Sequence, residues 1–275
     1  MTERARADEA MVVRRPVTRV TGRSRESADD AVAVERALEI RVDARALSVT
    51  LRTPGHDEEL AFGFLASEGV LRRAADVVSI AATPAASDDE PDVLDVRLAG
   101  GVTLDWTKLE RNFAATAACG ICGRAHLESL RTGLARAVDA ARFEAAAILA
   151  LPERVRASQA AFTETGGLHA AAWCDGALEP RVLREDVGRH NAVDKVCGWL
   201  LREGRHGAGE GLLWVSGRAG AELVLKAARA RIPALAAVGA PTSLAVELAG
   251  AAGMTLVGFL REGRMNVYAG AERIL

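Results

Sequence analysis

Leu212-Leu213-Trp214-Val215-Ser216-Gly217-Arg218-Ala219-Gly220 sets a short apolar run against a small, glycine-rich turn. The run predicts a strand over 212–216, and the stretch after it, about 220–231, predicts a helix. The same change of pattern recurs on both sides. Strands are expected over 168–173, 234–238 and 254–260, with helices at about 190–202 and 242–251. Strands alternating with helices indicate an α/β unit with a mainly parallel sheet.

Further toward the N-terminus the period shortens to two. Residues 39–43 and 47–51 alternate apolar with polar side chains and read as strands. Thr53-Pro54-Gly55 is a turn, after which Asp57 is placed to cap a helix through Leu60, Phe64 and Leu65 that stops near Gly69. Residues 82–92 read as a loop, followed by a strand through Val93, Leu94, Val96 and Leu98 and another over 102–104. From His126 the pattern turns helical, with Leu127, Leu130, Leu134 and Val138 on one face. Three units result: a charged, aperiodic flexible tail over 1–20, a smaller β-rich N-terminal domain over 21–135, and a C-terminal α/β domain over 136–275.

Composition narrows the class. Of 275 residues 49% are hydrophobic, enough for a sizeable core, yet only 4% are aromatic, so Ala, Leu and Val must build most of it. A formal net charge of -2 gives no global basic field, which argues against general nucleic-acid binding. Four cysteines are too few for a disulfide scaffold at this length. With no signal-like apolar stretch near the start and no uncharged membrane-length run, the expectation is a soluble cytoplasmic protein with reduced thiols.

Four polar clusters sit at expected strand or helix ends, where α/β folds gather ligands. Arg184-Glu185-Asp186-Val187-Gly188-Arg189-His190-Asn191, with Asp194-Lys195, lies at the mouth of a helix whose apolar face is Val193, Val196 and Leu200. Its arginines suit bidentate phosphate contacts, while a solvated turn with a helix cap is the plain alternative. Ser216-Gly217-Arg218-Ala219-Gly220 can turn backbone N–H groups toward an anion, although it lacks the Lys-Ser/Thr pair of a P-loop. In Gly239-Ala240-Pro241-Thr242-Ser243, Pro241 suits a helix start and Thr242 or Ser243 suits a cap. Phe259-Leu260-Arg261-Glu262-Gly263-Arg264 reads as two strands joined by a turn flanked by arginines, either a phosphate contact or a surface hairpin. His169, after Thr165-Gly166-Gly167-Leu168, opens a strand and points either into the same cleft or into the core.

Ala118-Cys119-Gly120-Ile121-Cys122-Gly123 brings two thiols together on a glycine-flanked loop. Such a pair binds a metal, cycles through a disulfide or carries sulfur. A structural zinc usually needs two such pairs, and Cys174 and Cys197 are isolated in expected strand and helix interiors. A redox site suits the helix that follows, whose N-terminal dipole lowers a thiol pKa, but no clear strand precedes it. A persulfide carrier needs an exposed thiolate on a mobile loop. The residues leave the last two open.

Taken together, Arg52-Thr53-Pro54-Gly55, Cys119–Gly123, Thr165–His169, Arg184–Asn191 with Asp194-Lys195, Ser216-Gly217-Arg218, 237–246 and 258–268 resemble the formate dehydrogenase accessory sulfurtransferases, the FdhD family. The resemblance implies a C-terminal domain of the cytidine deaminase fold and a sulfurtransferase. A cysteine desulfurase would load a persulfide on Cys119, with Cys122 assisting. The sulfur would pass to molybdenum in the bis-molybdopterin guanine dinucleotide cofactor, bound as substrate, for delivery to apo formate dehydrogenase. It further implies cofactor binding at Phe259, Leu260, Arg261, Glu262, Gly263 and Arg264, with Arg189, His190, Ser216, Arg218 and Thr242 near, no metal held by protein side chains, no membrane or nucleic-acid partner, and a homodimer. The zinc ligands of the deaminases are missing: His169 is followed by Ala170-Ala171 and Pro241 by Thr242-Ser243, so deaminase chemistry is excluded. One departure is Gly220-Ala221, where the family often carries Ser and an aromatic residue, so no side-chain hydroxyl is available at 220. A cofactor chaperone that only docks the cofactor, and a thiol oxidoreductase, are the competing readings.

Overall fold

The computed structural model describes residues 10–87, 89–102, 104–106, 109 and 141–275. The Cys119–Cys122 loop, the expected helix from His126 and the 135/136 boundary lie outside the described residues.

Three sheets carry the described chain. β1 (Val12–Thr21) and β2 (Ser24–Ala33) form an antiparallel ribbon. β3 (Arg36–Val42), β4 (Arg45–Arg52), β5 (Val77–Thr83) and β6 (Asp92–Leu98) form a four-stranded sheet in the order β4-β3-β6-β5. Leu38, Ile40, Val42, Leu94 and Val96 point to one face and are buried under α1 (Asp57–Ser67), through Leu60, Ala61 and Leu65.

The largest sheet has six strands in the order β12-β11-β10-β9-β7-β8. These are β7 (His169–Cys174), β8 (Pro180–Asp186), β9 (Leu212–Val215), β10 (Ala234–Ala237), β11 (Thr255–Arg261) and β12 (Arg264–Ala269). Side chains alternate faces along each strand. Leu213, Val215, Leu235, Ala237 and Leu256 pack against α4 (Arg189–Arg202), α5 (Ala221–Arg229) and α6 (Ser243–Ala252). Leu212, Trp214, Ala234, Ala236 and Val257 face the other way, onto Ile148, Leu151 and Val155 of α2 (Ala145–Arg156). The short α3 (Ala160–Thr165) follows α2. Helices on both faces of one sheet make a three-layer α/β unit. No described helix is long and apolar enough to cross a membrane.

Several expectations are corrected. The sheet is mixed: β9-β10 and β10-β11 are parallel, but β7-β9, β7-β8 and β11-β12 are antiparallel. Residues 12–20, expected as tail, belong to β1, whose mostly exposed polar side chains give no apolar stripe to read. Val102 and Leu104 lie outside any strand. β2, β5, β8, α2 and α3 escaped the sequence reading altogether. His56, in the left-handed region at φ 59, takes the N-cap position of α1, while Asp57 is spent on Arg52 at 2.7 and 3.0 Å.

Candidate functional site

The C-terminal ends of β9, β10 and β11 lie side by side, and Ser216, Val238 and Leu260 emerge there into a cleft of about 720 Å³. That volume falls in the range of small-molecule pockets, roughly 300–1,000 Å³. Trp214 contributes to the floor, and α2 supplies a wall through Leu149, Pro152, Glu153 and Arg156, continued by Phe162 of α3. The lip is Arg261, Glu262 and Gly263. Open α/β sheets place ligands at the carboxyl ends of their strands, and this cleft lies at the carboxyl ends of the parallel strands β9, β10 and β11.

The loops that shape this edge are drawn tightly together. Gly239 N donates to Gly217 O at 3.0 Å, and Ala219 N to Ala240 O at 3.1 Å. A Cβ on Gly239 would sit 2.9 Å from Gly217 O, so only glycine permits the approach. Ser216 continues the ladder into β7: its N donates to Ala170 O, and its Oγ accepts from Ala170 N, both at 2.9 Å. Phe259 adopts φ 53 and donates its N–H to Gly239 O at 3.0 Å, within a register shift between Gly258 and Arg261. This bulge turns Leu260 and Arg261 toward the cleft. Glu262 (φ 53) and Gly263 (φ 68) then form a two-residue turn with both central residues left-handed, the form that matches strand twist. Arg261 and Arg264 face each other across the ladder, and Arg264 lies 3.7 Å from Glu262.

α5 and α6 start beside this edge. Thr242 Oγ1 accepts from Ala245 N at 3.3 Å and caps α6, whereas Gly220 gives α5 no side-chain cap. The free amides at the α5 N-terminus favour an anion. Exposed Arg218 belongs to the same turn. A Cβ on Gly217 would lie 3.4 Å from His169 Nδ1 and 3.8 Å from Arg189 Cδ, so His169 and Arg189 flank the turn on its β7–α4 side. Burial holds the His169 imidazole below its usual range, reinforced by the Arg189 cation and opposed by Asp186.

Thus Ser216, Leu260, Arg261, Glu262 and Gly263 line the cleft, Phe259 and Arg264 belong to its hairpin, and Arg189, Arg218 and Thr242 sit at adjoining turns. His190 is elsewhere. It lies 3.4 Å from Glu222 and lines a separate hollow of about 470 Å³ between β4 and α4–α5. Several other charges of its motif are engaged within the protein. Arg184 grips Glu59 of α1 at 2.5 and 2.8 Å, and Glu185 accepts the Ala161 and Phe162 amides of α3 at 3.1 and 2.7 Å. Asp186 pairs with Lys195 at 2.7 Å, both fully buried, and Asp194 with Lys226 at 2.7 Å. Arg52-Thr53 joins the same network: Lys195 Nζ donates to Thr53 O at 2.9 Å, and Thr53 N donates to Asp186 at 3.2 Å. These charges bind the sheets to each other.

Of the four cysteines, Cys174 and Cys197 are buried, and burial pushes both thiols up to about 12. They are protonated at neutral pH and unsuited to nucleophilic work. Cys119 and Cys122 lie outside the described residues.

The sequence reading missed Trp214, Glu153, Arg156 and Phe162. Ile148, Leu151 and Val155 at helical spacing were the available signal for the α2 wall, but Pro152 interrupts it. Trp214 Nε1 is buried without a hydrogen-bond partner among the described residues. An unsatisfied donor costs about 1–3 kcal/mol, so an acceptor brought by a ligand suits this floor.

The FdhD/NarQ family model matches residues 33–275. Sulfur carrier protein FdhD of Streptomyces avermitilis is 48% identical over 267 residues, covering 95% of each chain. The protein of that name from Anaeromyxobacter dehalogenans is 45% identical over 282 residues, covering 99% of this chain and 96% of its own. The crystal structure of a Desulfotalea psychrophila protein, assigned as a formate dehydrogenase accessory protein, superposes with a TM-score of 0.77 at 26% identity, covering 97% of this chain and 100% of that one.

Proposed function

This chain belongs to the FdhD/NarQ family, and from that premise we propose that it is a sulfur carrier for formate dehydrogenase. Cys119, with Cys122 beside it, takes the outer sulfur of a cysteine desulfurase persulfide. The donor's S–S bond breaks, a new one forms on Cys119, and the donor departs as a thiolate. The Cys122 thiolate then attacks the inner sulfur of that persulfide: the S–S bond to the outer sulfur breaks, a Cys119–Cys122 disulfide forms for a cellular dithiol to reduce, and the outer sulfur leaves at the sulfide level for the molybdenum of the bis-molybdopterin guanine dinucleotide cofactor, held as substrate, before delivery to apo formate dehydrogenase. A cytosolic homodimer with a cytidine-deaminase-like α/β unit belongs to the same reading.

The observation that carries it is the cleft. A cradle that only glycine allows at 239, an orphaned Trp214 donor and two arginines on one hairpin suit an anionic, ring-bearing ligand. In such a site Arg261 and Arg264 hold the pyrophosphate, the uncapped start of α5 adds its dipole, and the apolar floor takes rings. The high thiol pKa values of Cys174 and Cys197 leave the Cys119–Cys122 pair to carry sulfur.

The test is intact-protein and peptide mass spectrometry after incubation with a cysteine desulfurase and free cysteine. A gain of about 32 Da per sulfur on the Cys119–Cys122 peptide, reversed by reductant and lost in Cys119→Ala, is expected. A loss of about 2 Da would instead identify a dithiol oxidoreductase. No mass change with nucleotide still bound would leave a cofactor chaperone that docks without transferring sulfur.

A further inference from the structure

We infer that Glu153 and Arg156, near the end of α2, read the guanine base of the nucleotide held in the cleft. The inference rests on the cofactor reading above and adds the end of the cleft at which the base lies.

The two residues stand three apart on one helix, a spacing at which opposite charges pair readily. They do not pair with each other, and neither has a partner among the described residues, although the intervening Arg154 is engaged by Glu179. Both line the cleft. An exposed carboxylate and an exposed guanidinium, neither committed to a protein partner among the described residues, therefore border an apolar floor.

Around them are the faces a planar ring needs. Phe162 is 38% exposed at the cleft, and Val238 and Leu260 lie opposite the α2 wall. Aromatic and aliphatic faces stack any base, so shape alone selects none. Selection comes from the edge. Guanine presents the O6 acceptor beside the N1–H and N2–H₂ donors. A carboxylate accepts from both donors, and a guanidinium donates to O6. Adenine places an acceptor at N1 and a donor at the six position, which reverses the match and sets a lone pair against the carboxylate.

Among the described residues Glu262 is the other cleft carboxylate, but it stands on the lip beside Arg264, where it belongs to the phosphate end. With the base on α2–α3, the phosphates run to the β11–β12 hairpin. Glu153 and Arg156 are thus specificity residues, and Arg261 and Arg264 anchors.

Isothermal titration of the full chain with GDP, IDP and ADP tests this. GDP is expected to bind at least about tenfold more tightly than ADP, and also than IDP, which lacks the 2-amino group. In Glu153→Gln, GDP affinity falls about tenfold while ADP affinity does not fall, so the preference collapses. The IDP comparison uses the unaltered protein and stands even if the variant misfolds. Equal binding of GDP and IDP, or a GDP preference intact in Glu153→Gln, overturns the inference and leaves the sulfur-carrier reading in place. Binding of none of the three would overturn it together with the cofactor reading, and persulfide loading is read separately by mass.

Discussion

Asp186 shows at the scale of one residue why a charged motif can look catalytic and be structural. Its carboxylate accepts from Thr53 N at 3.2 Å, Gly188 N at 2.8 Å, Asn191 Nδ2 at 3.1 Å and Lys195 Nζ at 2.7 Å. The partners come from the turn after β4 and the start of α4, so one side chain ties the smaller sheet to the larger. A buried pair adds little over an apolar substitute, but breaking it strands a charge. Asp186→Ala is therefore expected to lower unfolding free energy by about 3–5 kcal/mol. Lys195→Met leaves the carboxylate its three remaining donors and should cost distinctly less. Urea denaturation of both variants measures the ordering, and equal losses would mean that the junction depends on the ion pair as a unit and not on the carboxylate's other donors. The sequence showed the right residues here but not their burial, because a run of charges reads the same on a surface as in a junction.

Among the elements, the junction of α1 and α4 is the tightest. A Cβ on Gly63 would stand 1.8 Å from Asp194 O, and one on Gly198 would stand 1.8 Å from Glu59 O. The helix backbones touch at a glycine on each side, which brings Ser67 to Asp194 at 3.0 Å and Arg202 to Glu58 at 3.2 Å. Nothing can yield but the backbones, so Gly198→Ala must push the helices apart. Its expected cost is at the top of the overpacking range, about 3 kcal/mol or more, with loss of soluble protein as the coarse sign. Gly250→Ala, on α6 with open space around its Cβ, is the matched control. A Gly198→Ala protein as stable as that control would show that the helices do not meet this way. Single glycines in separate helices gave no such warning in sequence. The elements that were legible show their pattern plainly: β3 and β4 alternate, β7, β9, β10 and β11 are short apolar runs, and α1 and α4–α6 lie between turn and capping residues. β8 was not, since Arg184, Glu185 and Asp186 spend their charges inside the protein. The cleft was half legible for a related reason. Strand ends advertise themselves with Ser216-Gly217 and Glu262-Gly263, but the α2–α3 wall meets them only through folding, from about fifty residues or more away.

At the scale of the molecule, the four histidines among the described residues share one bias. His56, His169, His190 and His206 are each held below the ordinary 6.5, with burial the largest cause in every case. Folding therefore favours the neutral imidazole. As pH falls through about 6.5, the unfolded chain binds protons that the folded chain refuses, so stability is intact above that value and drains below it. Asp194 acts in the opposite sense. Burial raises it despite Lys226, so the folded state takes up its proton earlier than the unfolded chain does. The raw pH curve thus mixes the two signs, and a difference between proteins separates them. His206 is the cleanest choice, because burial alone shifts it and it lies far from the hairpin in sequence. His206→Gln should lose less unfolding free energy than the parent between about pH 7.5 and 5.5, whatever its stability at the upper limit. Guanidinium unfolding of both proteins at the two values measures it. Parallel losses would mean that His206 titrates alike in the folded and unfolded chains, and that the acid sensitivity of this fold comes from another group.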